Sequence, residues 1–229
     1  PDEWIVINVL EILSRVKDPE VVPALIGQFK IVRDPRLKAI IISSLGLFGE
    51  TQLLPIFEEG LKAFDTRIQA NAVEAISLLK IPGLEIKRKL KRFLTHPNNR
   101  VRANAAVALY ATEPEKVKTE LELMVNSKDV PTRRSAAYVL SKIKIEESRN
   151  FLDRLLSDSA FSVRKMALKA AVAFAEDEPP QKFLPFLKDE NPWVRKEMVN
   201  CAKRIKSFPD GPIVESFKNE TDPVVWESQ

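Results

Sequence analysis

Cysteine and histidine each occur once in the chain, as Cys201 and His96. That scarcity excludes a disulfide framework and any zinc cluster built from this chain alone. Glycine is nearly as rare, six in 229 residues, while Ala, Leu, Lys, Glu and Arg are plentiful. Such usage disfavours a sandwich or barrel with its many turns and favours helices. Hydrophobic residues make up 45% of the chain, enough for a sizeable core, so disorder is excluded. No uninterrupted apolar run reaches the roughly 18 residues needed to span a bilayer. There is no basic start followed by an apolar signal core. The chain opens at Pro1 without an initiator Met, which reads as a piece cut from a longer protein. A single thiol suits a reducing compartment, and a cytoplasmic location is expected.

The parts of common enzymes are also missing. There is no Gly-rich phosphate loop, no nucleophile elbow and no second histidine, so the P-loop reaction and serine-type triads lack their groups. The expectation is no catalytic residue, no metal site and no cofactor. Lys plus Arg total 36 against 32 acidic residues, and the net charge of +4 is too small a difference to announce nucleic acid by itself.

What the chain does contain is a repeat. Val6, Leu37, Ile68, Val101, Thr132, Val163, Val194 and Val225 recur at intervals of 31 residues, with a single interval of 33. Three residues before these anchors stand Glu3, Asp34, Asp65, Asn98, Asp129, Ala160, Asn191 and Asp222. Most can accept a hydrogen bond from the first free amides of a helix and read as N-caps. Pro35, Pro192 and Pro223 follow directly, at the helical position where a missing N–H costs least. Sites four, seven, eight and eleven past the anchor form one small or apolar face, with alanine at Ala72, Ala105, Ala136 and Ala167 in consecutive units.

A second stripe precedes each anchor by eleven and eight residues: Ile26 with Phe29, Phe57 with Gly60, Leu90 with Phe93, Leu121 with Met124, Leu152 with Leu155, Phe183 with Phe186 and Val214 with Phe217. It marks the first helix of an antiparallel pair. Ile81, Pro82 and Gly83 are the natural place for the two extra residues. The predicted fold is all-α: a solenoid, or superhelix, of stacked antiparallel helix pairs, occupying 1–229 as one domain.

Val101-Arg102, Val163-Arg164 and Val194-Arg195, with the looser Thr132-Arg133 and Leu37-Lys38, stand near the start of the second helix, after an Asp or Asn in every case but Val163-Arg164, where Ala160 takes its place. In this the chain resembles the HEAT-repeat family, especially the short HEAT-like repeats associated with phycobilisome lyases. Ile68-Gln69 and Val225-Trp226 depart from the pattern. The resemblance implies first helices on a convex surface and second helices lining a concave one where partners bind. It also implies that the arginines after the anchor serve the fold by bonding to acidic cap residues. Deoxyhypusine hydroxylases share such repeats, but their paired His-Glu iron ligands cannot come from His96 alone, which precedes Pro97.

Sites two, six and nine past the anchor lie opposite the buried stripe, within about 60° of one another at about 100° per residue. Early units place Ala39, Ser43, Gly46, Ala70, Glu74 and Ser77 there. Tyr110 and Tyr138, the only tyrosines, come next, followed by Arg134, Lys165, Lys169, Lys196 and Lys203, with Lys142 on the flank. These eight residues are the predicted binding surface, and the expected partner is a protein or peptide, acidic or extended. Nucleic acid is the alternative for the basic half. A plain solvated helix face is the competing reading, and so it is for the cluster Lys87, Arg88, Lys89, Lys91 and Arg92. Trp4, Trp193 and Trp226 are expected to cover the entries to second helices, and Cys201 to be a buried structural thiol.

Overall fold

Carboxylate and amide side chains ahead of the second helices meet the amides that a helix start leaves unpaired. Asp34 accepts from Arg36 N at 2.6 Å, Asn98 from Arg100 N at 3.0 Å, and Asp129 from Thr132 N at 2.9 Å. Asp65, Asn191 and Asp222 do the same for their helices. In a computed structural model that describes residues 18–79, 88–173, 179–205 and 208–226, together with Val9 and Ile12, these caps open a series of helices. The expectations for Trp4, for the first anchor and its cap, and for the loop at 81–83 lie outside the described residues.

The helices are α1 (Val21–Ile31), α2 (Pro35–Gly46), α3 (Leu54–Gly60), α4 (Thr66–Leu78), α5 (Asn99–Leu109), α6 (Pro114–Val125), α7 (Val130–Leu140), α8 (Ser148–Leu156), α9 (Phe161–Ala173), α10 (Pro192–Ala202), α11 (Asp210–Lys218) and α12 (Pro223–Trp226). No strand occurs among the described residues. They form two compact units that divide after Glu120, inside α6. In the first, the second helices α2, α4 and α5 pack in order, α2 on α4 and α4 on α5. In the second, α7 packs on α9, α9 on α10, and α10 on α12. This is an all-α repeat solenoid architecture.

Small residues let these helices approach. Ala72, Ala105, Ala136 and Ala167 have no exposed surface. Gly60 is no weak member of its stripe: a Cβ there would lie 2.6 Å from Ile42 Cδ1 and 2.9 Å from Ala72 Cβ. Gly46 faces Ala75 in the same way, with a built Cβ 2.8 Å from its Cβ and 3.0 Å from its Cα.

The first helices are less regular than their stripe predicts. Three of the first-helix regions contain short 3-10 segments, Thr51–Leu53, Lys91–Thr95 and Leu184–Lys188, the last holding Pro185, which has no N–H to give an α-helix. Leu90, Phe93 and Phe183 are buried regardless. Val214 corrects the prediction: it is exposed, because α11 packs chiefly on Leu184–Lys188 and buries no residue fully.

The arginines after the anchors form a repeated bridge. Arg133, Arg164 and Arg195 each donate from Nη1 to the carbonyls six and five residues upstream. Nε and Nη2 then grip one carboxylate 25 residues downstream, bidentately: Arg133 on Asp158 at 2.6 and 2.9 Å, Arg164 on Asp189 at 2.8 and 2.8 Å, and Arg195 on Glu220 at 2.7 and 2.8 Å. The acid is not the cap residue itself but stands two residues ahead of it, and it also accepts the cap position's own N–H, as in Ala160 N to Asp158 and Asn191 N to Asp189. In the first unit Arg102 donates to the His96 and Pro97 carbonyls, and its carboxylate is Glu120 at 3.4 Å.

These bridges lie mostly out of water, with the Arg164 and Asp189 side chains only 10% and 9% exposed. Hydrogen bonds from Arg133 and Arg195 hold the Asp158 and Glu220 carboxyls below the ordinary range. A depressed folded pKa adds stability that is complete above the unfolded value and is lost as pH falls through the folded one. Arg164→Ala is therefore expected to cost about 3 kcal/mol in urea unfolding, against less than about 0.5 kcal/mol for the exposed Arg36→Ala. The urea midpoint of the unsubstituted chain should drop between about pH 5 and pH 3, and drop less in Arg133→Ala. Gly46→Ala should lower stability by about 1–2 kcal/mol in the same assay, although alanine is the better helix former, because the backbone of α4 stands in its way.

Candidate partner-binding face

In the second unit α7, α9 and α10 lie side by side and carry most of the predicted surface residues. Arg134 on α7 is exposed, and Lys165 on α9 and Lys196 on α10 are half-buried. Tyr138 is half-buried, and the Lys142 ammonium lies 5.8 Å from the centre of its ring. Lys203 is exposed where α10 ends.

Trp193 overturns its expected role. It does not seal a helix entry but stands 42% exposed, with the ammonium groups of Lys165 and Lys196 at 5.2 and 5.7 Å from its ring. An electron-rich indole face attracts such cations, which explains why two like charges tolerate one ring. Phe161, one turn ahead of Lys165 on α9, is also 42% exposed. Trp226 is exposed as well and meets Phe217 in a tilted contact, 5.3 Å between ring centres. The sequence did not single out Phe161, and it assigned Trp193 to packing rather than to the exposed face. The signal was there in part: Trp193 falls three residues before Lys196, so the two share a helix face.

Lys169, on the same face, is paired with the next helix. Its Nζ lies 3.3 Å from Glu197 Oε2, and the Glu197 side chain is 8% exposed. Glu197 sits in the interior beneath the stripe and neutralises this lysine from the next helix. It also accepts from Cys201 Sγ at 3.7 Å. Burial first, and then the Glu197 charge, push the Cys201 thiol up to about 12, as befits a packed structural thiol.

Tyr110 belongs to the first unit, half-buried at the end of α5. There the predicted face differs: Ala39, Ala70 and Ala103 are buried rather than open. Asn71 donates to the Ala39 carbonyl at 2.7 Å and Asn104 to the Ala70 carbonyl at 2.8 Å, so each asparagine roofs the alanine of the helix before it. Asn104 also reaches Glu74 at 3.4 Å. The basic cluster is largely paired: Lys89 bonds Glu58 at 2.6 Å, Lys91 pairs with Glu113 at 2.9 Å, and Arg92 lies over the Phe93 ring. Lys87 lies outside the described residues. Groups of His, Cys, Asp and Glu able to hold a metal ion are absent among the described residues. No helix there is long and apolar enough to cross a membrane.

Stacked helix pairs with capped second helices and arginine bridges define a helical-repeat protein. The profile of HEAT repeats matches residues 54–141 and 118–199, and the chain belongs to that family. Among solved structures, Escherichia coli YibA is similar over 100% of this chain and 95% of its own, with 16% identity and a TM-score of 0.59, a likeness of fold. Human deoxyhypusine hydroxylase covers 96% of this chain and 86% of its own at 16% identity and a TM-score of 0.42. Computationally designed armadillo repeat proteins for modular peptide recognition cover 81% of this chain and 100% of their own at 16% identity and a TM-score of 0.38. No curated protein matches the chain in sequence.

The pairing of Lys169 separates fold from face. Lys169→Glu should destabilise the chain by about 2 kcal/mol in urea unfolding, since it sets a second carboxylate against buried Glu197. Lys165→Glu should stay within about 0.5 kcal/mol of the unsubstituted chain.

Proposed function

We propose that this HEAT-repeat chain is a non-catalytic protein-interaction scaffold whose second-helix face takes an acidic or extended partner. One observation carries the reading: Trp193 keeps 42% of its surface exposed, with two ammonium groups 5.2 and 5.7 Å from its ring centre. Aromatic contact area beside lysine side chains is what an acidic protein segment can use, the charge steering approach and the rings supplying desolvated contact. Arg134, Lys165 and Lys203 make no ion pair among the described residues, which leaves their charge available. The 31-residue period, interrupted by a single interval of 33, supports one continuous array over the whole chain, and the single buried thiol suits the cytoplasm.

Nucleic acid is the second reading, because the same cations could meet phosphates. The two separate in one experiment. Polyglutamate peptide and single- and double-stranded oligonucleotides are titrated into the chain at low and physiological salt. The scaffold reading expects peptide binding that weakens several-fold in Lys165→Glu/Lys196→Glu, with little oligonucleotide binding at physiological salt. Tight oligonucleotide binding with a steep negative salt slope would replace it with the nucleic-acid reading. Unchanged peptide affinity in the double variant would remove this face from the function.

A further inference from the structure

We propose that the occupant of this face is a proline-rich, polyproline-II-like segment with acidic side chains at every third position; this rests on the acidic-partner reading above. Arg134, Lys165 and Lys196 occupy the same place in three consecutive second helices, 31 residues apart. Because α7 packs on α9 and α9 on α10, the three cations form a row that crosses the helices, one charge per helix. Packed helices run about 9 Å apart. A ligand that meets all three charges must present acids at that interval along one face.

Backbone geometry selects among the possibilities. A polyproline II helix has three residues per turn and rises about 3.1 Å per residue, so positions i and i+3 share a face about 9 Å apart. A β-strand returns to the same face every second residue, about 6.7 Å on, and falls out of step with the row. An α-helix needs seven residues to advance about 10.5 Å, so only a partner of some 15 residues could touch all three cations.

The aromatics agree with this choice. Phe161 precedes Lys165 by four residues and Trp193 precedes Lys196 by three, so each ring lies one turn from its cation on the same face. Both are 42% exposed, and the Trp193 ring has the Lys165 and Lys196 ammonium groups 5.2 and 5.7 Å from its centre. Proline rings of an extended segment dock between such aromatic side chains, and the preformed helix loses little entropy on binding.

Two nonapeptides of equal composition test the spacing. One is three copies of Glu-Pro-Pro; the other places the three glutamates together ahead of six prolines. Calorimetric titration of the full chain should give the spaced peptide an affinity about tenfold higher. Arg134→Glu and Lys165→Glu should each remove most of that advantage, Lys188→Glu on the opposite helices should not, and circular dichroism should show all three variants folded. Equal affinities would overturn the spacing while the acidic-partner reading stands. Preference for a 15-residue helical peptide with acids seven apart would overturn the polyproline conformation. Stronger binding of an oligonucleotide of equal charge would overturn the peptide itself. If neither nonapeptide nor polyglutamate binds at millimolar concentration, the inference and the reading beneath it both fall.

Discussion

A guanidinium held between two carbonyls of its own turn and a carboxylate of the next repeat is the contact on which the second unit is built. It fixes where each second helix starts, since the same acid that takes the arginine also takes the cap position's N–H. Coulomb attraction alone would leave the turn free to rotate. The planar five-donor fork does not, because its two edges are bound to groups from two different turns. The cost of burying the charges is offset by how fully their hydrogen-bonding capacity is met.

The two units solve the approach of neighbouring helices differently at the surface. In the first, Ala39 and Ala70 are small enough for asparagine side chains to reach over them to backbone carbonyls. Their amide groups are spent in holding neighbouring helices together. In the second, the equivalent places hold Arg134, Lys165 and Lys196, whose long stems keep their charged ends at the surface. The basic side chains of the proposed face accordingly lie in the second unit.

Much of the architecture was legible in the residues. A 31-residue period, caps and proline placement need only the rules of helix starts, and Asp34, Asn98, Asp129 and Asn191 behave as those rules require. The bridge acids were harder to see. Their column reads His96, Ser127, Asp158, Asp189 and Glu220, and His96 Nδ1 and Ser127 Oγ accept the same backbone N–H that the acids do. One geometric role filled by four residue types shows no compositional signal. Helical spacing placed the lysines on one face, but not what packs around them. Lys169 and Glu197 are 28 residues apart and come together only through helix packing, and the exposure of Trp193 depends on how α9 and α10 meet.

Each bridge spans 25 residues and hands over to the next after 31. The chain's length inside this region is thereby quantised. Duplication or loss of one whole unit would return every guanidinium to a waiting carboxylate, whereas an insertion of a few residues between Arg164 and Asp189 would strand a buried cation. Evolutionary growth of such an array proceeds by copying complete units, and length variation between its members should gather in turns that no bridge encloses.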